Sequence, residues 1–148
     1  SNYVHEELSG DSNIINFNNN CLKLEVSCGS GMYVRALARD IAYKLNTAFI
    51  PLRKPDKLPG DTYKVSYTLE YGSTEMHIHK DSLNDHTNVL IIDDLLATGG
   101  TALAAVELIN HFENKNIIGA GFIINLPELK GDQKLISKGI KIHSLMEF

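Results

Sequence analysis

The sequence predicts an α/β fold with a parallel sheet and one antiparallel excursion. Residues 89–92 form a continuous apolar run, which is typical of a parallel strand buried on both faces. Two segments with apolar residues at helical spacing, 32–45 and 102–112, alternate with such strands. Two β-rich segments on either side of Gly72 have the pattern of a hairpin. This order of elements favours parallel strands joined by helices, with the hairpin as the antiparallel part.

The N-terminal third predicts a turn, a strand and a helix. Residues 16–20 are rich in asparagine and predict a turn, and residues 21–28 alternate between apolar and polar as a half-buried strand does. Residues 29–31 interrupt that strand, and residues 32–45 predict an amphipathic helix that ends near Asn46. Cys21 and Cys28 are expected to point to opposite faces of the strand, which supports neither a disulfide nor a metal site.

The remaining elements follow in order along the chain. Residues 48–52 predict a short buried strand that leads into a basic loop ending at Gly60. Residues 64–71 and 74–80 predict the hairpin, or a mobile flap, and residues 81–88 a polar connector. Beyond the strand at 89–92, residues 93–101 predict a glycine-containing loop, and residues 116–124 and 141–145 predict two further strands.

Length and composition exclude several classes of protein. The chain has 148 residues, of which 43% are hydrophobic and 22% charged, as expected of one ordinary globular domain. Its net charge of −4 gives no basic field for a nucleic-acid partner. The apolar runs are too short to cross a membrane, and the acidic N-terminus does not resemble a signal peptide. A cytoplasmic location is therefore expected.

The strongest functional signal is a pair of acids, Asp93 and Asp94, directly after the predicted strand at 89–92. Ligands of open α/β sheets bind beyond the carboxyl ends of the strands, so these acids are expected at a site. Carboxylates accept hydrogen bonds from neighbouring ribose hydroxyls, and they also orient a hydrated Mg²⁺. A ribose or a hydrated cation is therefore the predicted partner.

A phosphate site is predicted immediately after the acids. Small residues, two glycines and two threonine hydroxyls precede a helix, whose first turn offers unpaired N–H groups and a positive dipole end. The residues of this phosphate loop are Ala97, Thr98, Gly99, Gly100 and Thr101. The alternative is an ordinary helix cap made by Thr98 or Thr101, which would explain neither the paired acids nor the paired glycines. Acids followed by this loop predict recognition of ribose 5-phosphate.

These motifs resemble those of a known family. Residues 93–101 resemble the phosphoribosyl-pyrophosphate signature of type I phosphoribosyltransferases, and three further segments resemble the adenine phosphoribosyltransferase family. The three are Arg53-Lys-Pro-Asp-Lys-Leu-Pro-Gly60, Ser66-Tyr-Thr-Leu-Glu-Tyr-Gly72 and Leu126-Pro-Glu-Leu-Lys-Gly131. The resemblance covers residues 42–148 and implies a type I phosphoribosyltransferase core with a flap hairpin.

The resemblance also implies an activity. It implies transfer of ribose 5-phosphate from phosphoribosyl pyrophosphate to adenine, giving AMP and pyrophosphate, in a homodimer. Mg²⁺ would be the cofactor, held indirectly by Asp93 and Asp94 through metal-bound water.

Further site residues are assigned from the same resemblance and from the chemistry of the transfer. Displacement of pyrophosphate builds negative charge on the leaving group, and the cations Arg53, Lys54 and Lys57 can stabilise it. Glu70 matches the family's candidate for handling the adenine proton, and Tyr71 would help a flap at 66–72 to exclude water. The alternatives are a solvated basic loop and an exposed strand carboxylate.

A second resemblance concerns residues 13–41. Gly31-Met-Tyr-Val-Arg35 and Leu37-Ala-Arg-Asp40 resemble tRNA pseudouridine synthases of the TruB and dyskerin type, with Met32 in place of the usual threonine. In that family the arginine matching Arg35 pairs with a catalytic aspartate, whose segment is not found in the sequence, so pseudouridine synthesis is not expected. Nor are the base hood and Glu-Ser-Arg-Gly loop of adenine phosphoribosyltransferases found upstream of residue 42.

The two resemblances together predict a chimera. We expect a single domain, 1–148, in which residues 1–41 are a grafted strand-loop-helix and residues 42–148 the phosphoribosyltransferase part, joined near residues 41–43. A non-catalytic scaffold that binds ribose phosphates is the alternative function.

Three weaker signals keep two interpretations each. Gly29-Ser-Gly31 could bind an anion but is better explained as a turn. His77 and His79 share one strand face and could bind a metal, yet a solvated flap face is favoured. Contacts of Tyr33, Arg35 and Arg39 with RNA are disfavoured by the acidic chain.

Overall fold

A computed structural model describes residues 10–18, 21–28, 33–55, 58–69 and 71–148, the first two ranges by their backbone alone. The chain divides into two compact units, Ser1–Phe49 and Ile50–Phe148. The predicted single domain and its junction near residues 41–43 stay predictions. Among the helices of the described ranges, none is long and apolar enough to cross a bilayer.

The first unit contains a hairpin and a helix. Strands β1 (Gly10–Asn18) and β2 (Cys21–Cys28) pair antiparallel, with a bulge between Ile14 and Asn16. The turn predicted at 16–20 is therefore wrong through Asn18, because pairing with β2 overrides the low strand propensity of asparagine. The side chains of the two cysteines lie outside the described part.

Helix α1 (Val34–Lys44) confirms the predicted amphipathic helix. Its buried side chains are Leu37, Ile41 and Ala42, which share one face because Ile41 and Ala42 follow Leu37 by four and five residues, about one helical turn. The backbone N–H of Leu45 still bonds to the carbonyl of Ile41 at 3.0 Å, and Asn46 follows with a φ of 50°. Asparagine adopts this left-handed conformation more readily than most residues, so it ends the helix as predicted.

The second unit begins with the flap hairpin, which consists of β3 (Thr62–Leu69) and β4 (Gly72–His79). The strands pair antiparallel without a break from Thr62 opposite His79 to Leu69 opposite Gly72. Val65, Met76 and Ile78 project into the core, and the alternate residues face outward. The predicted hairpin is confirmed.

Three parallel strands form the main sheet of this unit in the order β5 (Asn88–Leu96), β6 (Asn116–Asn125) and β7 (Ile142–Glu147). Helix α2 (Gly100–Ile109) connects β5 to β6, while a 3-10 turn (Pro127–Leu129) and helix α3 (Gly131–Ile136) connect β6 to β7. The predicted α/β class, with a parallel sheet and an antiparallel hairpin, is confirmed. The prediction of only one antiparallel excursion is wrong, because β1 and β2 form a second antiparallel pair.

Two predicted strands do not belong to this sheet. Strand β2 pairs with β1 instead, and residues 48–52 form no strand. The latter segment contains Pro51, which has no N–H to donate to a ladder, and the isolated bridge nearby is at Arg53, just after the segment. Ile50 and Leu52 pack against the core without strand pairing, so their apolar character reflects packing alone.

The core of the second unit lies around α2, a helix that is apolar on nearly all sides. Six of its ten residues are buried: Ala102, Ala104, Ala105, Val106, Leu108 and Ile109. A helix with this pattern must be covered on several faces. Here β3, β4, β5 and α3 all contact it, which fixes the start of the helix relative to the hairpin and the sheet.

Candidate functional site

The two acids lie within strand β5, not in a loop after it. The parallel ladder continues past them, pairing Leu95 with Ile124 and Leu96 with Asn125. The prediction of a loop beginning at residue 93 is wrong, because the ladder to β6 extends the strand for four more residues, through Leu96. The backbone N–H of Asp94 donates a hydrogen bond of 2.9 Å to Oδ1 of Asp93.

The carboxyl group of Asp93 has a raised pKa. Burial raises its pKa to about 6, and the neighbouring charge of Asp94 acts in the same direction, against the lowering effect of the hydrogen bond from the Asp94 N–H. A carboxylate in such a position is costly to ionise near neutral pH. Hydroxyl donors or a cation would stabilise its charged form, so Asp93 is suited to bind a ligand.

The phosphate loop turns at Gly99. This residue has a φ of 83°, a left-handed conformation that favours glycine, and it occupies the N-cap of α2. Its carbonyl accepts the first helical hydrogen bond, from the N–H of Leu103 at 2.9 Å. The helix thus begins at Gly100, two residues before the predicted start at 102, because Gly100 and Thr101 already have helical conformation.

The N–H groups at the start of α2 are not occupied by side chains of the described residues. No side chain caps the helix, and its first turn contains no acidic residue. The alternative of an ordinary cap by Thr98 or Thr101 is therefore wrong. The N–H groups of the first turn have no partner within the helix and lie at its positive dipole end, which suits an anion.

Residues 126–134, named here the supporting segment, hydrogen-bond to the backbone at the start of the phosphate loop. The backbone N–H groups of Leu126 and Gly131 donate to the carbonyls of Leu96 and Ala97 at 2.9 and 3.1 Å. Lys134 Nζ donates to the carbonyl of Thr98 at 2.7 Å. Neither Gly131 nor Lys134 has a role predicted from the sequence, in which the only signal at this place is the motif ending at Gly131.

Gly131 packs directly against the loop. A Cβ at this position would contact the carbonyl oxygen of Ala97 and would lie 2.7 Å from the backbone nitrogen of Gly99. Both atoms belong to backbone and have little room to move away. Only glycine allows the supporting segment to approach the phosphate loop this closely.

The flap hairpin contacts the phosphate loop at Gly100. A Cβ on Gly100 would lie 2.9 Å from the carbonyl oxygen of Thr68 and 3.9 Å from Cδ2 of Tyr67. The predicted flap and the predicted phosphate loop are thus brought together. Tyr71, beside the turn of the hairpin, is 97% exposed, and Glu70 lies outside the described residues.

The basic loop joins the same hairpin along the outer edge of β4. The N–H of Arg53 donates to the carbonyl of His77 at 3.1 Å, and the N–H of His77 donates back to Arg53 at 2.7 Å. Arg53 is half-buried and Lys54 is exposed, whereas Lys57 lies outside the described residues. The hairpin therefore contacts both the loop predicted for phosphate and the arginine predicted for pyrophosphate.

The imidazole ring of His77 is hydrogen-bonded within the hairpin. Because the Glu75 carboxylate only accepts, His77 Nε2 donates to its Oε2 at 3.1 Å, and Nδ1 is 3.2 Å from Oγ1 of Thr62. This hydrogen bond, followed by that of Lys64, lowers the pKa of Glu75. The predicted solvated face is wrong for His77, whose side chain is 16% exposed because these partners cover it. No cluster of three metal-ligating side chains occurs in the described ranges.

Asn125 is a further polar residue that sequence patterns did not reveal. It is 3% exposed and lies opposite Leu96 at the end of the sheet that carries the phosphate loop. Its Nδ2 donates weakly to Oε1 of Glu147 at 3.4 Å, while its Oδ1 has no hydrogen-bond partner within the described chain. The Gly29-Ser-Gly31 turn lies outside the described residues.

Comparison with known proteins identifies a family. The model of the phosphoribosyl transferase domain matches residues 35–146, so the match begins before the predicted start at residue 42. The chain is 41% identical over 121 residues to the adenine phosphoribosyltransferase of Rhizobium leguminosarum bv. trifolii, covering 80% of this chain and 66% of that protein.

Solved structures give the same result. The adenine phosphoribosyltransferase of Thermoanaerobacter pseudethanolicus superposes with a TM-score of 0.68 at 41% identity, covering 74% of this chain and 62% of that one. That of Trypanosoma brucei, solved with AMP, pyrophosphate and ribose-5-phosphate, has a TM-score of 0.68 at 30% identity and covers 76% and 51%. The chain thus spans about two thirds, or less, of the length of these relatives.

Proposed function

Because this chain belongs to the phosphoribosyltransferase family, we propose that it transfers ribose 5-phosphate from phosphoribosyl pyrophosphate to adenine, giving AMP and pyrophosphate. The observation that carries the proposal is the phosphate loop between β5 and α2. It combines a left-handed glycine, an uncapped helix start and close packing on both sides. Backbone N–H groups arranged in this way bind the 5′-phosphate that substrate and product share.

Asp93 and Asp94 would bind the ribose. Their carboxylates can accept hydrogen bonds from the two ribose hydroxyls, and such bonds offset the unfavourable charge of the partly buried Asp93. This donor set also fits Mg²⁺, which is usually held by one or two carboxylates together with substrate phosphates and water. When bound, Mg²⁺ would neutralise charge on the pyrophosphate of the substrate.

The transfer separates charge between ribose and pyrophosphate. Positive charge develops on the ribose and negative charge on pyrophosphate as their bond breaks, so Arg53, Lys54 and Lys57 would stabilise the leaving group. The flap at 66–72 would exclude water from the reactive ribose, with Tyr71 contributing to closure. Glu70 would accept the proton that adenine loses. The contact between Gly100 and Thr68 supports a flap that closes beside the phosphate loop.

Turnover tests the proposal. We expect adenine, phosphoribosyl pyrophosphate and Mg²⁺ to give AMP with the wild-type chain, and Asp94→Asn to reduce the rate by at least about tenfold, since a hydrogen bond to a charged group is lost. Asp85→Asn, which removes an exposed carboxylate from the turn after β4, is the matched control and should leave the rate unchanged. Binding of the substrate without turnover would instead support the non-catalytic scaffold.

We also propose that the chain forms a homodimer. Large apolar side chains are exposed near its C-terminal end. Met146 and Phe148, two residues apart, are 45% and 75% exposed, and Leu145, on the alternate face of β7, is 59% exposed. Neighbouring exposed apolar residues are typical of surfaces that another protein covers. A twofold contact between identical chains would bury the face that carries Met146 and Phe148 on both subunits.

We propose that residues 13–41 derive from a different protein than the rest of the chain. The support is the resemblance of Gly31 to Asp40 to a motif of pseudouridine synthases. The phosphoribosyltransferase match already begins at Arg35, so the two resemblances overlap within α1. We propose a junction in this helix, whose apolar stripe is continuous. The cytoplasmic location stays a prediction.

A further inference from the structure

The supporting segment bonds to three successive carbonyl groups at the start of the phosphate loop. Leu126 N–H bonds to Leu96, Gly131 N–H to Ala97, and Lys134 Nζ to Thr98, at 2.9, 3.1 and 2.7 Å. These three carbonyls belong to consecutive peptide groups. The segment therefore fixes the orientation of every peptide between the end of β5 and Gly99.

The orientation of a carbonyl determines that of the neighbouring N–H. A trans peptide is planar, and its C=O and N–H point in opposite directions. Because the carbonyls of residues 96, 97 and 98 face the supporting segment, the N–H groups of Ala97, Thr98 and Gly99 face away from it. Within the described part of the chain these three N–H groups have no hydrogen-bond acceptor.

We infer that Lys134 is a positioning residue for phosphate binding, because it holds the Thr98–Gly99 peptide so that the Gly99 N–H faces the anion. This inference rests on the proposed function, which places phosphate at the loop. Lys134 is the only side chain among the three donors. It acts at the peptide that precedes the left-handed Gly99, where glycine would otherwise allow the peptide to rotate.

The lysine acts through the peptide and not as a direct ligand. Its ammonium bonds to the carbonyl face of the peptide, whereas the anion would bind on the N–H face. A hydrogen bond to a carbonyl also polarises the peptide and strengthens its N–H as a donor. A neutral donor, even one bond shorter such as glutamine, should therefore replace part of the effect, which distinguishes positioning from simple attraction between charges.

Three variants separate these possibilities. Lys134→Met removes both donor and charge, Lys134→Gln keeps a donor without the charge, and Lys138→Met removes an exposed charge just after α3 as a control. Calorimetry with AMP should give about a tenfold loss of affinity for Lys134→Met and a smaller loss for Lys134→Gln. Lys138→Met should match wild type, and affinity for adenosine, which lacks phosphate, should be equal in all four proteins.

Equal AMP affinity in Lys134→Met and wild type would overturn the inference, and so would equal losses in the Met and Gln variants. If wild type binds no AMP, the proposed function fails, and NMR then decides the inference alone. The Thr98 carbonyl-carbon and Gly99 amide resonances should move in Lys134→Met but not in Lys138→Met. Unmoved resonances would show that the lysine does not hold this peptide.

Discussion

Replacing Gly131 with alanine is expected to destabilise the second unit by about 3 kcal/mol and to lower AMP affinity by at least about tenfold. The added methyl group would contact the Ala97 carbonyl and lie 2.7 Å from the nitrogen of Gly99, so the phosphate loop or the supporting segment must move. Either movement breaks the bond from the Gly131 N–H to Ala97 and changes the direction of the loop N–H groups. Chemical denaturation and calorimetry measure the two effects.

Gly139 provides the matched control for this variant. It follows the same helix, α3, and has a φ of 77°, but a Cβ there would meet nothing within 4 Å. Gly139→Ala should therefore cost about 1 to 2 kcal/mol, from backbone strain alone, and leave AMP affinity unchanged. If Gly131→Ala were no more costly than Gly139→Ala, close packing of the supporting segment would not be what shapes the loop.

Replacing Asp93 with asparagine is expected to stabilise the protein at neutral pH while weakening AMP binding. Burial raises the pKa of Asp93 from 3.8 to about 6. Below the pKa of the unfolded chain, Asp93 is protonated in both states and the protein has its full free energy of unfolding. As pH rises from about 4 to about 6, Asp93 ionises more easily in the unfolded chain than in the folded protein, so the free energy of unfolding falls.

The expected difference is roughly 2 to 3 kcal/mol between pH 4 and pH 7.5, from a pKa change of about two units. Asparagine keeps an oxygen that can accept the Asp94 N–H but carries no charge. Denaturant titrations at several pH values should therefore show that the free energy of unfolding of Asp93→Asn, relative to that of wild type, increases as pH rises. At the same time AMP affinity should fall by about tenfold, because a charged acceptor for a ribose hydroxyl is lost.

Asp132→Asn is the control for this experiment, since Asp132 also accepts the N–H of its following residue, at 2.7 Å from Gln133. It tests whether the loss of any carboxylate with this kind of local hydrogen bond is enough to give a stability gain that grows with pH. A stability difference between Asp93→Asn and wild type that did not change with pH would contradict an unfavourably buried Asp93.

Hydrophobic periodicity predicted those helices and strands whose pattern is complete within a single segment of the sequence. The flap hairpin is an example, because Val65, Met76 and Ile78 alternate with outward-facing residues along β3 and β4. Helix α1 is another, since the spacing of Leu37, Ile41 and Ala42 is complete within the segment. In such cases the period of the sequence and the burial of the structure have the same cause.

Pairing between distant segments could not be predicted in this way. Residues 48–52 have the apolar composition of a strand, but Ile50 and Leu52 are apolar because they pack on the core. The end of β5 depends on its register with β6, so the position of the acids within the strand was not visible locally. The same holds for the site, where Lys134 contacts Thr98 across 36 residues of chain.

The candidate site was predictable where residue type alone implies chemistry. The acids Asp93 and Asp94 and the glycines of the phosphate loop are such residues, because few other contexts need carboxylates and small residues in this order. The residues that orient them, Gly131 and Lys134, have ordinary types, and only the folded backbone reveals their role.

The most direct test of the account is the location of the phosphate. Amide resonances of the labelled protein should be followed by NMR during titration with AMP and, separately, with adenosine. We expect AMP to shift the amides of residues 97–101 strongly, because their N–H groups bind the phosphate, and adenosine to leave them nearly unchanged. Equal shifts with both ligands, or AMP shifts confined to other parts of the chain, would contradict a phosphate site at this loop.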